Sequence, residues 1–212
     1  MLTIPSSLQA NIKLRTPNGT HANLTKVDQY QYLGGRIPSV REDILHRKRL
    51  AWAAFRSVRV FLQSEALSDQ LKGRLFKALI ESVLLYNAET WTLTDTLEAQ
   101  VDSIYCSLLR AVFRLHYPDL TPNRIILKRA QLALPSATLK TRRLKLVGHV
   151  IRARSYCQEP LQKVLFLKLP GPYRRGHARN LRFVDNIFRD ANAPDQINSV
   201  AFVEALATNR TI

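Results

Sequence analysis

The chain has 212 residues and a net charge of +16, from 32 Lys and Arg against 16 Asp and Glu. With 46% hydrophobic residues it can form a real core, as one domain or two small ones, and the excess charge suits a polyanion, nucleic acid first and an acidic membrane surface second. The apolar runs Val83–Tyr86 and Val164–Leu167 are too short to span a bilayer, Met1–Ala10 lacks the pattern of a secretory signal, and Cys106 and Cys157 form no CxxC pair, so an intracellular protein, nuclear or cytoplasmic and not secreted, is expected.

In chain order, residues 8–37 read as β structure. Ile12 and Leu14 alternate with polar neighbours, Asn18-Gly19 is a hairpin turn signal, and Tyr30, Tyr32, Leu33 and Ile37 supply a further strand broken by Gly34-Gly35. This is too little strand for a free-standing sheet, and it reads as the margin of a larger one. From Ser39 the period becomes helical. Ser39 and Glu42 form a capping box, and Leu45, Trp52, Phe55, Val58 and Leu62 then recur at helical spacing to about Gln63. Ser68 caps a second helix to about Tyr86, whose wide apolar arc of Leu71, Leu75, Phe76, Leu79, Ile80, Val83 and Leu84 predicts the central, most buried position. Thr94 caps a third, with Leu97, Val101, Ile104, Leu108 and Val112 inward. Thr121-Pro122 reads as an N-cap followed by proline at the first helical position, and Ser136 as the cap of a fifth helix to about Arg154. Pro160, Pro170, Gly171, Pro172 and Gly176 mark a basic linker or arm, followed by two weaker helical patterns around Leu181–Phe188 and Val200–Ala207.

The charge is concentrated. Residues 140–182 hold twelve Lys and Arg against one acid, Glu159, which is +11 of the total +16. On the fifth helix Arg142, Lys145, His149 and Arg152 share one sector, with Leu139, Leu144, Leu146, Val147, Val150 and Ile151 on the other side. One basic helix face is commonly just a solvated face. A second basic element, Arg174-Arg175-Gly176-His177-Ala178-Arg179, shifts the balance toward phosphate binding.

Catalytic signatures are missing. There is no Asp-Asp pair of the kind that holds two divalent metals; Glu42-Asp43, in the first turn of the first helix, is explained by the helix dipole, and Asp95, Glu98 and Asp102 likewise. The histidines are scattered, with no zinc spacing, and Gly34-Gly35 lacks the lysine of a phosphate loop. Trp52 and Trp91 read as core.

Several ordered blocks resemble the C-terminal part of reverse transcriptases from non-LTR (LINE-like) retrotransposons. They are Tyr30-Gln31-Tyr32-Leu33-Gly34-Gly35-Arg36-Ile37, then Asp43-Ile44-Leu45-His46-Arg47 and Ala51-Trp52-Ala53-Ala54-Phe55. Next come Ser82 to Leu93 (SVLLYNAETWTL), Leu108-Leu109-Arg110, Arg142 to Arg152 (RRLKLVGHVIR) and Arg174 to Arg179. Asn87 stands where the family usually has Gly, Val147 where Trp is usual, and His177 where Arg is. The resemblance implies a strand pair at the palm–thumb junction, with Tyr32, Leu33 and Gly34 near the primer terminus. A helical thumb that grips the template–primer duplex would follow. The family's catalytic aspartates lie in the palm, before the first of these blocks, so the chain alone is expected to be inactive. No cofactor is expected in it, since magnesium would belong to the palm site.

The fold expected is mainly α: a short β-hairpin remnant of the palm (1–38), a helical thumb-like bundle (39–155), a basic Pro/Gly linker or arm (156–180) and a C-terminal helical segment (181–212). Arg142, Lys145, His149, Arg152, Arg174, Arg175 and Arg179 are the expected nucleic-acid contacts, with Arg47 and Arg56 of the first helix as weaker candidates. The expected partners are RNA/DNA duplex, target DNA and the rest of the polymerase, with no membrane and little sequence specificity. The rival readings are a stand-alone basic nucleic-acid-binding or interaction protein derived from a degenerate element, and an inactive truncated reading frame.

Overall fold

The computed structural model describes residues 13–15, 21–23, 30–32, 35–37, 39–152, 183–192 and 199–208. The chain divides into two units, Met1–Pro38 and Ser39–Ile212. In the first, β1 (Lys13–Arg15) pairs antiparallel with β2 (His21–Asn23), placing Leu14 opposite Ala22. Strand β3 (Tyr30–Tyr32) pairs antiparallel with β4 (Gly35–Ile37), with Tyr32 opposite Gly35. Leu33, Gly34 and the Asn18-Gly19 turn lie outside the described residues.

The second unit is helical. Helix α1 (Val40–Leu62) starts where Ser39, in extended backbone, accepts the Glu42 N–H at 3.4 Å on its hydroxyl. Its inward stripe is Ile44, Ala51, Phe55 and Leu62, and it stops at Gln63, whose side-chain amide donates to the Ala111 carbonyl at 2.7 Å. Helix α2 (Asp69–Phe76) begins at Ser68, which accepts the Leu71 N–H at 3.3 Å. The same rod continues through a π-helical turn, Lys77–Glu81, into α3 (Ser82–Leu84). Phe76, Ile80 and Leu84 are fully buried, whereas Leu71 and Leu79 reach the surface. The predicted apolar arc is therefore too wide. The wider winding of a π turn also brings the adjacent residues Ile80 and Glu81 both inside.

Asn87 adopts the left-handed conformation, φ 58°, and opens a 3-10 turn, Ala88–Thr90. An asparagine tolerates that conformation better than most side chains. Helix α4 (Asp95–Val112) follows, its start marked by Thr94 accepting the Leu97 N–H at 3.3 Å and its buried face carrying Val101, Ile104, Leu108 and Val112.

The next two helix starts differ from expectation. Helix α5 (Asn123–Ala130) has Pro122, not Thr121, as its N-cap. The Thr121 carbonyl is taken by the Arg110 guanidinium at 2.8 Å, while the Pro122 carbonyl accepts the Ile125 N–H at 3.0 Å. Helix α6 (Pro135–Arg152) begins with Pro135 rather than after Ser136. The cap comes from another helix: the Asp102 carboxylate accepts the Ser136 N–H at 3.0 Å. Proline suits the first helical position, and an ionised acceptor makes a stronger bond there than a hydroxyl.

Helices α7 (Phe183–Asp190) and α8 (Ser199–Thr208) pack on α6. Two clusters result. The larger one joins α1 through α5 with Leu139 of α6, and the smaller one gathers Val147, Ile151, Ile187, Val203 and Ala207. Among the described residues no helix is long and apolar enough to cross a membrane.

Candidate nucleic-acid interface

The α6 face is where the sequence concentrates cations, and the fold ties two of the four to backbone carbonyls. Arg142 donates to the Leu85 carbonyl at 3.1 Å and sits 3.7 Å from the Glu81 carboxylate. Arg152 donates to the Ala207 carbonyl at 3.0 Å, at the last turn of α8. Glu81 is buried and already accepts from the Tyr105 hydroxyl at 2.8 Å, so a cation beside it offsets a desolvated charge. The carbonyls at helix ends lack intrahelical partners, and a long arginine reaches them readily. Lys145, His149 and Arg152 are exposed. Three of the four cations expected to face outward therefore do so, Arg152 while bonded to Ala207, and only Arg142 is half-buried against Leu85 and Glu81. Arg174, Arg175 and Arg179 lie outside the described residues.

Arg47 is also corrected. It is buried, 3.9 Å from Asp43, with its guanidinium 4.5 Å above the Tyr86 ring. Asp43 in turn accepts the Trp91 indole N–H at 2.7 Å. The dipole reading of Asp43 is therefore incomplete, because the carboxylate joins α1 to the segment after α3 inside the protein. Trp91 is core, as its spacing indicates. A third ionic cluster holds α7. The fully buried Arg143 donates to Asp190 at 2.6 Å and lies 3.9 Å from Glu98, and Arg189 pairs with Asp95 and with Glu98. Asp95, Glu98 and Asp102 are structural partners, in keeping with the plain reading of them.

The exposed cationic surface missed by the sequence reading is on α1. Arg41, Lys48, Arg49, Arg56 and Arg59 are all exposed. At about 100° per residue they share a sector about 100° wide, flanking the buried stripe, and span about 27 Å of helix. From Ile44 to Gln63 the chain has no acidic residue. Of these five only Arg56 was anticipated. The signal present was the Arg47-Lys48-Arg49 run and the seven- and eight-residue recurrence to Arg41 and Arg56, outweighed by the denser charge farther on.

Protein-family models, curated proteins and solved structures give no match to this chain.

Beside the C-terminal half of the α1 stripe lies a cleft of about 480 Å³. Trp52, Phe55, Arg59 and Gln63 line it from α1, Ser107 and Arg110 from α4, and Leu115, His116 and Tyr117 from the segment after α4. Trp52 and Phe55 meet edge to face with centroids 5.7 Å apart. Trp52 is only half-buried, so its assignment to the core is half right: one side packs and the other faces this cleft. Among the described residues no group of three or more His, Cys, Asp or Glu is placed to hold a metal ion.

Proposed function

We propose that this chain binds nucleic acid through the cationic face of α1, as a downstream, non-catalytic part of a polymerase resembling the non-LTR reverse transcriptases. The observation that carries the binding half is the acid-free stretch Ile44–Gln63 with Arg41, Lys48, Arg49, Arg56 and Arg59 exposed in one sector. Like charges crowded on one helix face repel, and a phosphate backbone relieves that repulsion while releasing counterions. The polymerase half rests on the ordered blocks from Tyr30 to Arg179 and on the mainly helical bundle. In this reading the bundle is the thumb, the strand pairs at 13–37 adjoin a palm, and template–primer RNA/DNA duplex is the partner, held by shape and backbone. Lys145, His149 and Arg152 would add a second, weaker patch, and the sequence makes Arg174, Arg175 and Arg179 further candidates.

The test is affinity for an RNA/DNA hybrid as a function of salt. Affinity should fall by roughly 0.9 log units per log unit of salt for each phosphate contact. Replacing Arg49 and Arg56 with Gln should lower that slope by about two such contacts and leave the thermal transition in place, since both side chains are exposed. Absence of binding at low salt, or a slope untouched by the substitutions, refutes the α1 interface.

A further inference from the structure

The cleft beside α1 combines features that a phosphate-gripping helix alone does not need. Its walls are aromatic: Trp52 and Phe55 at the base, and Tyr117 at the mouth with 93% of its surface exposed. Its polar lining is cationic or neutral, with Arg59, Arg110, His116, Gln63 and Ser107 and no carboxylate. Arg59 spends one donor on Gln63, at 3.0 Å, and Arg110 uses one guanidinium nitrogen for both the Thr121 carbonyl and the Asn123 side chain. An arginine carries five N–H donors, so each retains several for a ligand. The volume falls in the range of small-ligand sites.

We infer that this cleft takes one unpaired nucleotide of a strand running along the α1 stripe, its base against Trp52 and Tyr117 and its phosphate near Arg59 and Arg110. Charge and geometry both favour this occupant. Arg59 belongs at once to the stripe and to the cleft wall, so a backbone following the stripe arrives at the cleft mouth. A base inside a duplex has its faces covered and cannot stack on a side chain, whereas an unpaired base can. An exposed tyrosine at the mouth of a cavity floored by a tryptophan supplies such a platform, with cation–π attraction from a neighbouring guanidinium adding to it. The site is therefore selective for single-stranded overhangs flanking a duplex.

This inference rests on the proposed binding function, and the experiment separates the two. Three RNA/DNA hybrids are compared at one salt concentration: blunt, with a short single-stranded overhang, and with the same overhang lacking its bases. The overhang should raise affinity about tenfold or more over the blunt hybrid, and the abasic overhang should recover little of that gain. Trp52 fluorescence should be quenched by the base-bearing overhang alone, because Trp91 is buried and bonded to Asp43. Tyr117→Ala, at an exposed side chain, should bring the overhang-to-blunt ratio close to one, and Trp52→Leu should do the same while removing the quenching. Equal binding of all three hybrids, or an abasic overhang as good as a base-bearing one, overturns the nucleotide site yet leaves the α1 interface standing. No binding to any hybrid overturns the α1 interface itself.

Discussion

Glu81 is a carboxylate at a fully interior position of a helix, and its surroundings explain how it is tolerated. The Tyr105 hydroxyl donates to one oxygen at 2.8 Å, and the Arg142 guanidinium stands 3.7 Å from the other. Burial, and then the charge and hydrogen bond of Glu81, push the Tyr105 hydroxyl well above its ordinary value of 10.0. Burial likewise raises the neighbouring Cys106 thiol above 9.0, with the Asp102 charge adding to the shift and the Arg110 charge opposing it. Both groups are thus held protonated in the folded protein. A raised folded-state value means that the unfolded chain releases its proton first. The stability these groups contribute is complete below the unfolded values and is lost as pH climbs above them. The melting temperature should hold level through neutral pH, begin to drop between about pH 9 and 10, and drop more steeply beyond. Tyr105→Phe removes the donor to Glu81 and should cost about 1–3 kcal/mol at pH 7 while making the alkaline decline shallower. A melting curve level through pH 11 in the parent protein would contradict the coupling.

The helices show which local signals a sequence carries and which it does not. Ser39, Ser68 and Thr94 were legible as caps because the donor each hydroxyl satisfies lies three residues away in the same chain. The starts of α5 and α6 were misread because Arg110 and Asp102, both on α4, reach across to fix them. The π turn was likewise illegible, since the apolar period fits a plain helix equally well. Contact between α2 and α5 gives a substitution whose sign reverses the usual rule. Glycine inside a helix is ordinarily worse than alanine by about 0.5–1 kcal/mol. At Gly73, however, an added methyl would land inside the Ala130 carbonyl, which is backbone and cannot swing aside. Gly73→Ala should therefore destabilise by about 1–3 kcal/mol, read as a lower urea midpoint with unchanged slope. Gln131, at the end of α5, is the complementary case: it is exposed and left-handed, φ 53°, so Gln131→Gly should raise the midpoint by about 1 kcal/mol of stability.

Across the bundle, the distribution of charge in sequence was a poor guide to its availability in space. The mainly helical class and the order of elements were readable from periodicity, but the fate of Arg142, Arg143 and Arg152 depended on acceptors far along the chain: Glu81, Asp190 and the Ala207 carbonyl. The same arginines tie the C-terminal helices to the rest. Helix α6 lends Leu139 to the larger core and Val147 and Ile151 to the smaller, so it is the element both cores share. The smaller core has far less apolar surface and leans on one buried ion pair, Arg143–Asp190, together with Asn186, whose side chain clasps both backbone groups of Leu93. Removing Asp190 leaves the fully buried Arg143 with the more distant Glu98 carboxylate at 3.9 Å, and breaking a buried pair costs about 3–5 kcal/mol. Asp190→Ala should accordingly loosen α7, α8 and the second half of α6 ahead of the rest. In native-state hydrogen exchange those amides should lose protection by that amount, while the amides of α1 and α4 continue to exchange through global unfolding. A uniform loss of protection from α1 to α8 would show instead that the two cores unfold as one cooperative unit, with α6 transmitting the strain of the broken pair into the α1–α4 packing.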